Sequence, residues 1–489
     1  MKYIFILLSV LFLLICQISH AQNKTIDLKG QWRFQIDRSD VGEKEKWFSK
    51  KLNDNIYLPG SMTENHKGDD VTLTTQWTAS IYDSSFFFNP RLEKFRKPDN
   101  LKLPFWLTPV KYYVGAAWYQ KDVIIPADWK GERITLFLER PHTESRLWID
   151  EKEVGMDNSL SVPHIFDISS FLKTGSNTIT LRIDNRAKDI DVGKDSHSIT
   201  DQTQGNWNGI VGKLELQSTP VTYIDDIQIY PDLKNKKALV KLTIAGRASG
   251  QITLKAQSYN GEKVHTVEPV LQNYTAKSKF TKIELELLMG DEMLTWNEFH
   301  PNLYQLSVSL KTSKGTDTKE IRFGMREFTI EGKYFYVNGR KTMLRGTVEN
   351  CVFPLTGYAP MDVDSWERVF RICRSFGLNH MRFHSFCPPE AAMEAADLTG
   401  FYLQPEGPSW PNHGSSLGDG RPVDDYLWKE AERIVKQYGN YPSFCMFAIG
   451  NEPRGRWVQW VSKFVDYWKE TDTRRVYTCL LYTSDAADE

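Results

Sequence analysis

"FCMFAIGNEP", residues 444–453, runs six apolar or small side chains into a glycine, then Asn451, Glu452 and Pro453. A short apolar run bounded by turn residues reads as a buried strand. The polar pair then stands at the strand's C-terminal end, and the proline starts a new segment. Working outward, the same pattern recurs. Downstream, Trp457, Trp460, Val461, Phe464, Val465 and Trp468 fall on one helical stripe, and "VYTCLLY" (476–482) reads as a further strand. Upstream, "TMLRGT" (342–347), "HMRFH" (380–384) and "FYLQPE" (401–406) read as strands. Between them lie a helix started by Asp364 and Glu367 with Trp366, Val369, Phe370, Cys373 and Phe376 on one face, a short helix from Glu390 to Leu398, and a longer one with Leu427, Ala431, Ile434, Val435 and Tyr438 on one side.

Alternating buried strands and amphipathic helices fit an open doubly wound sheet or a closed eight-stranded barrel. The polar residues favour the barrel. Arg382 and His384, Glu406, and Asn451 with Glu452 all fall at strand C-termini, where barrel enzymes keep their chemistry. No glycine-rich phosphate loop follows the first strand, which argues against nucleotide binding.

Before residue 329 the period is two. "GQWRFQI", "AAWYQKDVIIP", "RITLFLER" and "NTITLRIDN" belong to an all-β sandwich over residues 22–219. "KALVKLTIAG", "GQITLKAQSY" and "LYQLSVSLKT" belong to a second β segment, 220–328, of a length that fits an immunoglobulin-like sandwich. Residues 1–21 carry Lys2, an apolar run from Ile4 to Ile15 and small residues before a cleavage point after Ala21, the pattern of an export signal. A periplasmic or secreted protein is expected; a lipoprotein anchored through Cys16 is disfavoured by the bulky Ile15 before it. With a net charge of −1 and no basic patch, nucleic acid is not an expected partner. The cysteines show no paired spacing, so neither a disulfide framework nor a metal site is expected, and no cofactor is implied. Nothing in the sequence excludes a homo-oligomer.

Cleaving a glycosidic bond needs a carboxylic acid that protonates the departing oxygen and a second carboxylate as nucleophile or base. Glu452, after an apolar strand whose wall would raise a carboxyl pKa, fits the acid, with Asn451 placed to hold a substrate hydroxyl. Alternatively, Asn-Glu-Pro only closes a strand and opens a helix.

"FAIGNEP" resembles the acid/base strand of glycoside hydrolase family 2. "IYLPGSM", "AAWYQKDVIIP" and "GNWNGIVGKLEL" resemble that family's N-terminal sugar-binding jelly roll, "WNEFHPNLYQLSV" and "IRFGMREF" the end of its immunoglobulin-like domain, and "FYVNGRKTMLRGT" the start of its barrel. The resemblance implies a jelly roll, an immunoglobulin-like sandwich and a (β/α)8 TIM barrel, and a retaining exo-β-glycosidase acting on an oligosaccharide or polysaccharide-derived β-glycoside. β-Galactosidase is the first expectation, with β-glucuronidase and β-mannosidase as alternatives. It implies Glu452 as acid/base and Arg382 near the catalytic carboxylates. Substrate-binding candidates are Asn451, Arg382, His384, Glu406, Trp410 and, from the jelly roll, Asp201 and Trp207. Two departures stand out. The family more often has Ser-His where this chain has His384-Ser385, and "QPEGPSWPNHG" does not carry the family's metal ligands, so no metal is expected. The 161 residues from Thr329 to Glu489 supply at most five strands, whereas such a barrel takes roughly 250 residues. The resemblance puts the nucleophile on strand seven. The barrel is therefore expected to be incomplete and the chain inactive as written, with "LLYTSDAADE" reading as foreign sequence. A non-catalytic carbohydrate-binding protein is the competing expectation.

Overall fold

The computed structural model describes residues 24–79, 84–103, 108–188, 190–202, 206–276, 278–353, 356–411 and 415–478. The expected export signal, Cys16 and the "LLYTSDAADE" segment lie outside these residues.

The first β unit is two antiparallel sheets face to face. One is six-stranded, in the order Asp54–Leu58, Gly30–Asp37, Ala116–Ile125, Gly175–Asp184, Glu144–Ile149, Lys152–Asp157. The other runs Lys24–Asp27, Gly209–Thr219, Arg133–His142, His164–Asp167, with Gly60–Ser61 pairing on the Gly209–Thr219 strand. Alternate residues point inward, so Trp32, Phe34, Tyr119, Leu136, Leu181 and Leu216 form one buried core between the sheets. The second unit is a seven-stranded sandwich, a three-stranded sheet against a four-stranded one. Its strand Lys237–Ala245 alternates half-buried and buried positions along its length, with Ala238, Val240, Leu242 and Ile244 turned into the core.

An antiparallel hairpin follows, and it corrects the expected first barrel strand. Asn338 (φ 52°) and Gly339 (φ 72°) form a two-residue turn that folds Arg340–Thr342 back against Tyr334–Val337. "TMLRGT" is thereby divided, and the first parallel strand is Gly346–Glu349. It pairs in parallel with the second strand, His380–Phe383, which pairs with the third, Tyr402–Gln404. The fourth, Met446–Ala448, pairs with the fifth, Val476–Thr478, and single bridges at Leu403–Phe444 and Glu406–Ala448 join third to fourth. Five parallel strands thus follow one another as an arc among the described residues.

Helices Val363–Ser375, Glu390–Thr399, Pro422–Tyr438 and Trp457–Thr471 lie between the strands. The first is capped by Asp362, whose carboxylate accepts from the Ser365 amide at 2.8 Å, not by the expected Asp364–Glu367 pair. Phe376 falls beyond the helix's last turn and is exposed, while Trp366 and Phe370 carry the buried face. In the third helix Leu427, Ala431, Ile434, Val435 and Tyr438 are all buried. Cys351, Cys387 and Cys445 are buried and Cys373 is half-buried, none of them in a disulfide among the described residues. Among the described residues no helix is long and apolar enough to cross a membrane.

The two β units grip opposite ends of the strand arc. The second sandwich holds the strands where they begin. Arg326 donates to the carbonyls of Pro442, Phe444 and Arg474, Trp296 Nε1 to the Asp397 carbonyl, and Glu298 accepts from Arg345 and Asn379. The first holds the loops where the strands end.

Candidate active site at the barrel mouth

The second, third and fourth barrel strands deliver their last side chains to loops under the first sandwich. From the second strand, Arg382 sends Nε to Glu406 Oε1 at 2.5 Å and a terminal guanidinium nitrogen to Asn451 Oδ1 at 2.6 Å. Glu406, beyond the third strand, is fully buried, and its other oxygen accepts from the Ser385 amide at 2.7 Å. Burial pushes the Glu406 carboxyl up to about 7, against the opposing pull of Arg382. The three strand ends are therefore tied by one guanidinium, whose fork suits two acceptors at once.

Glu452 stands differently. Its side chain is exposed, and one carboxylate oxygen accepts from Trp410 Nε1 at 2.9 Å. The burial expected of Glu452 is found instead at Glu406, where the Ser385 and Pro408 loops cover the third strand's end. Asn451, beside it, is buried. Its Oδ1 is held by Arg382, while its Nδ2 has no hydrogen-bond partner among the described residues. A buried donor left unpaired costs about 1–3 kcal/mol unless something outside the chain accepts from it. Glu452 (φ 39°) and Ser385 (φ 45°) both hold left-handed backbone, uncommon for these residue types. The loops meet closely at Gly450, where a Cβ would lie 2.2 Å from the Ser409 carbonyl oxygen and where the Asn451 amide donates to that same oxygen.

His384 and Trp410 complete the wall, their rings edge to face at 4.7 Å. A residue that sequence reasoning did not single out joins them. His197, on a loop of the first sandwich, meets His384 at 4.4 Å and Trp410 at 5.6 Å, and its amide donates to Ser385 Oγ at 2.9 Å. Ser198 Oγ donates to the Ser385 carbonyl at 2.8 Å. The His384-Ser385 order thus turns the imidazole toward Trp410 and gives the serine to the interdomain contact. Burial, then the neighbouring cations, lowers His384 to about 3 and His197 to about 4, so both rings are neutral near pH 7.

Asp201 and Trp207 go elsewhere. Asp201 is buried and accepts from the amides of Thr78, Ala79 and Asn206 and from Tyr112 Oη, which makes it the anchor of a loop. Trp207 stacks on His142 at 4.6 Å and packs against Tyr358. The structure brings together Arg382, His384, Glu406, Trp410, Asn451 and Glu452 and leaves these two outside that network. Among the described residues no group of three or more His, Cys, Asp or Glu side chains is placed to hold a metal ion.

Comparison with known proteins agrees with this architecture from end to end. The profile described as "Glycosyl hydrolases family 2, sugar binding domain" matches residues 26–220. "Glycosyl hydrolases family 2" matches 222–326, and "Glycosyl hydrolases family 2, TIM barrel domain" matches 328–488. The chain belongs to glycosyl hydrolase family 2. Its three units are accordingly the family's jelly roll, immunoglobulin-like domain and TIM-barrel domain. A β-galactosidase of Priestia megaterium is 23% identical over 92% of this family-2 chain and 43% of its own length. A putative β-glucuronidase of Formosa agariphila is 25% identical over 77% of the chain and 44% of its own length. The chain therefore spans less than half of either relative. A crystal structure of Bacteroides uniformis β-glucuronidase superposes with a TM-score of 0.70 at 17% identity, over 93% of this chain and 52% of that one, a likeness of fold.

Proposed function

We propose that the chain forms the sugar-binding and acid/base side of a β-glycosidase site, with Glu452 protonating the departing glycosidic oxygen and then taking a proton from water. One observation carries this reading: an exposed carboxylate at a barrel strand's C-terminal end, oriented by Trp410 and flanked by a buried donor, Asn451 Nδ2, with no partner among the described residues. The Arg382–Glu406 pair holds Asn451 in place, so that its free amide can meet a sugar hydroxyl. His384 and Trp410 offer a neutral ring wall to the sugar's C–H face. β-Galactosides are the first substrate class, supported by the relative matched over 92% of the chain. β-Glucuronides and β-mannosides are the alternatives. Retention would require a second carboxylate roughly 5–5.5 Å from the first. Glu406 is unsuited to that part, because it is buried with both oxygens engaged.

That last point favours a second reading for these 489 residues by themselves: a β-galactoside is bound and not cleaved. Export through residues 1–21 belongs to the same proposal and rests on the sequence pattern alone. The test is a comparison of turnover and binding. In a chain that also carries the second carboxylate, Glu452→Gln is expected to lower turnover of a natural β-galactoside about 10²–10⁴-fold. Full activity in that variant would overturn the assignment. Efficient hydrolysis by the 489-residue chain would overturn the binding-only reading.

A further inference from the structure

An open cavity of about 620 Å³ lies in the jelly roll, between the chain's run from Asp69 to Thr78 and the strand-leading segment Tyr112–Val114, with Arg186 and Lys194 on its far side. A pyranose has an apolar C–H face and a rim of hydroxyls, so a site for one needs a flat ring beside hydroxyls, amides and charges. This cavity has them. Trp77 is half-exposed and braced by Tyr112 at 4.8 Å; Thr72, Thr74 and Thr75 supply hydroxyls, and Gln76 an exposed amide. The ionic groups divide into committed and free. Asp69 is paired with Arg38, Asp70 with Lys111, and Arg186 with Asp184 and Asp40, while Lys194 is exposed and makes no ion pair among the described residues.

Lys194, in the cavity's lining, belongs to a loop that packs against the barrel mouth. Lys194 follows Gly193, which has φ 99° and stands so close to the barrel that a Cβ there would lie 1.9 Å from the Trp410 carbonyl oxygen. The Trp410 amide donates to the Val192 carbonyl at 2.8 Å, and the Trp410 indole holds Glu452. The loop that lines the cavity is thus the loop that supports the Glu452 wall. At 620 Å³ the space is in the range of sites that enclose a ligand of two or so sugar rings.

We propose that this cavity binds the leaving-group side of an oligosaccharide substrate: sugar units beyond the scissile bond stack on Trp77 and hydrogen-bond to the threonine-rich segment and Lys194. The inference rests on the reading of Glu452 as the acid/base, and it makes the preferred ligand a chain of sugars, not a small glycoside.

The test is calorimetric titration of the 489-residue chain with galactose and with β-1,4-galactotetraose. Wild type is expected to bind the tetrasaccharide at least tenfold more tightly than galactose. Trp77→Ala should cost about tenfold in tetrasaccharide affinity, as for a buried aromatic anchor, and leave galactose binding unchanged. Because Trp77 also supports Tyr112, the exposed changes Gln76→Ala and Lys194→Ala serve as second variants, each expected to cost the tetrasaccharide about threefold, the loss of a hydrogen bond. Equal affinities for the two sugars in wild type, or tetrasaccharide binding untouched by all three variants, would overturn the proposal. The Glu452 reading fails separately: tetrasaccharide binding that depends on Trp77 while galactose binding ignores Trp410→Ala would keep the cavity and remove the mouth.

Discussion

The two ends of the barrel strands are both covered by a β-sandwich, yet they are built to different ends. Where the strands begin, side chains of both partners bond backbone across the contact: from the immunoglobulin-like domain Arg326 donates to three carbonyls and Trp296 to that of Asp397, and from the barrel Asn440 donates to the Ile227 carbonyl and accepts from the Ile229 amide. Where they end, the jelly roll meets loops that keep an exposed carboxylate, an amide nitrogen unpartnered among the described residues, and two neutral imidazoles. Side chains bonded to backbone across the contact make the first face a clamp. Groups left available make the second a site.

The largest effect that would break this contrast is on turnover at the second face. Glu452→Gln is expected to raise the barrier by about 4 kcal/mol, a thousandfold in rate, in a chain with both carboxylates, with the unfolding midpoint in urea unchanged. Next comes the clamp. Arg326→Ala leaves the Pro442, Phe444 and Arg474 carbonyls without their buried donor and should lower stability by about 3 kcal/mol, read from denaturant unfolding. Galactose affinity of the folded variant should stay at the wild-type value. If Arg326→Ala weakened sugar binding as much as it weakened the fold, the division of labour would be lost. Smaller again is Gly193→Ala, which adds a Cβ at 1.9 Å from the Trp410 carbonyl on left-handed backbone. Strain of about 1–3 kcal/mol is expected there. It should appear as a loss of sugar affinity of up to about tenfold through displacement of Trp410, and unchanged affinity would detach the jelly-roll loop from the site.

The contrast was unevenly legible in the sequence. Strands announced themselves where an apolar run ended in polar residues, and the helix face of Leu427, Ala431 and Ile434 follows from spacing alone, because each is a property of consecutive residues. "TMLRGT" misled because an Asn-Gly turn just before it bends the chain into a hairpin, a local signal stronger than the apolar pattern beyond it. Phe376 carries the helical period past the helix's end. The two glutamates show the deeper limit: both follow a barrel strand, and only the docking of the Ser385 and Pro408 loops decides that Glu406 is sealed and Glu452 is open. His197 sits 187 residues before His384, in a stretch with no periodicity, and enters the site through domain packing that no sequence window contains.

The smallest expected effect, per pH unit, is on the pH dependence of stability, and it sharpens the comparison because each face holds a carboxyl that burial raises. Glu406 at the strand ends is raised by burial to about 7, and Asp397, just before the third strand, to about 8. A carboxyl raised on folding contributes stability that is complete below its unfolded pKa and is lost as pH rises through its folded value. For Glu406 that window runs from pH 4.5 to about 7, and for Asp397 from 3.8 to about 8. Each group can supply a slope of at most about 1.4 kcal/mol per pH unit inside its window. Glu406→Gln should flatten stability between pH 4.5 and 7, and Asp397→Asn should do so up to about 8. Only the first should also change galactose affinity, because Glu406 orients the Arg382 that holds Asn451, whereas Asp397 accepts from the Ser443 amide at the clamp. Equal effects of the two variants on sugar binding would mean that the strand ends and the strand starts are not separable in function. A pH slope unaltered by Glu406→Gln would mean that the carboxyl at the mouth is not the sealed one, and that the wall closing it in place of Glu452 does not act as built.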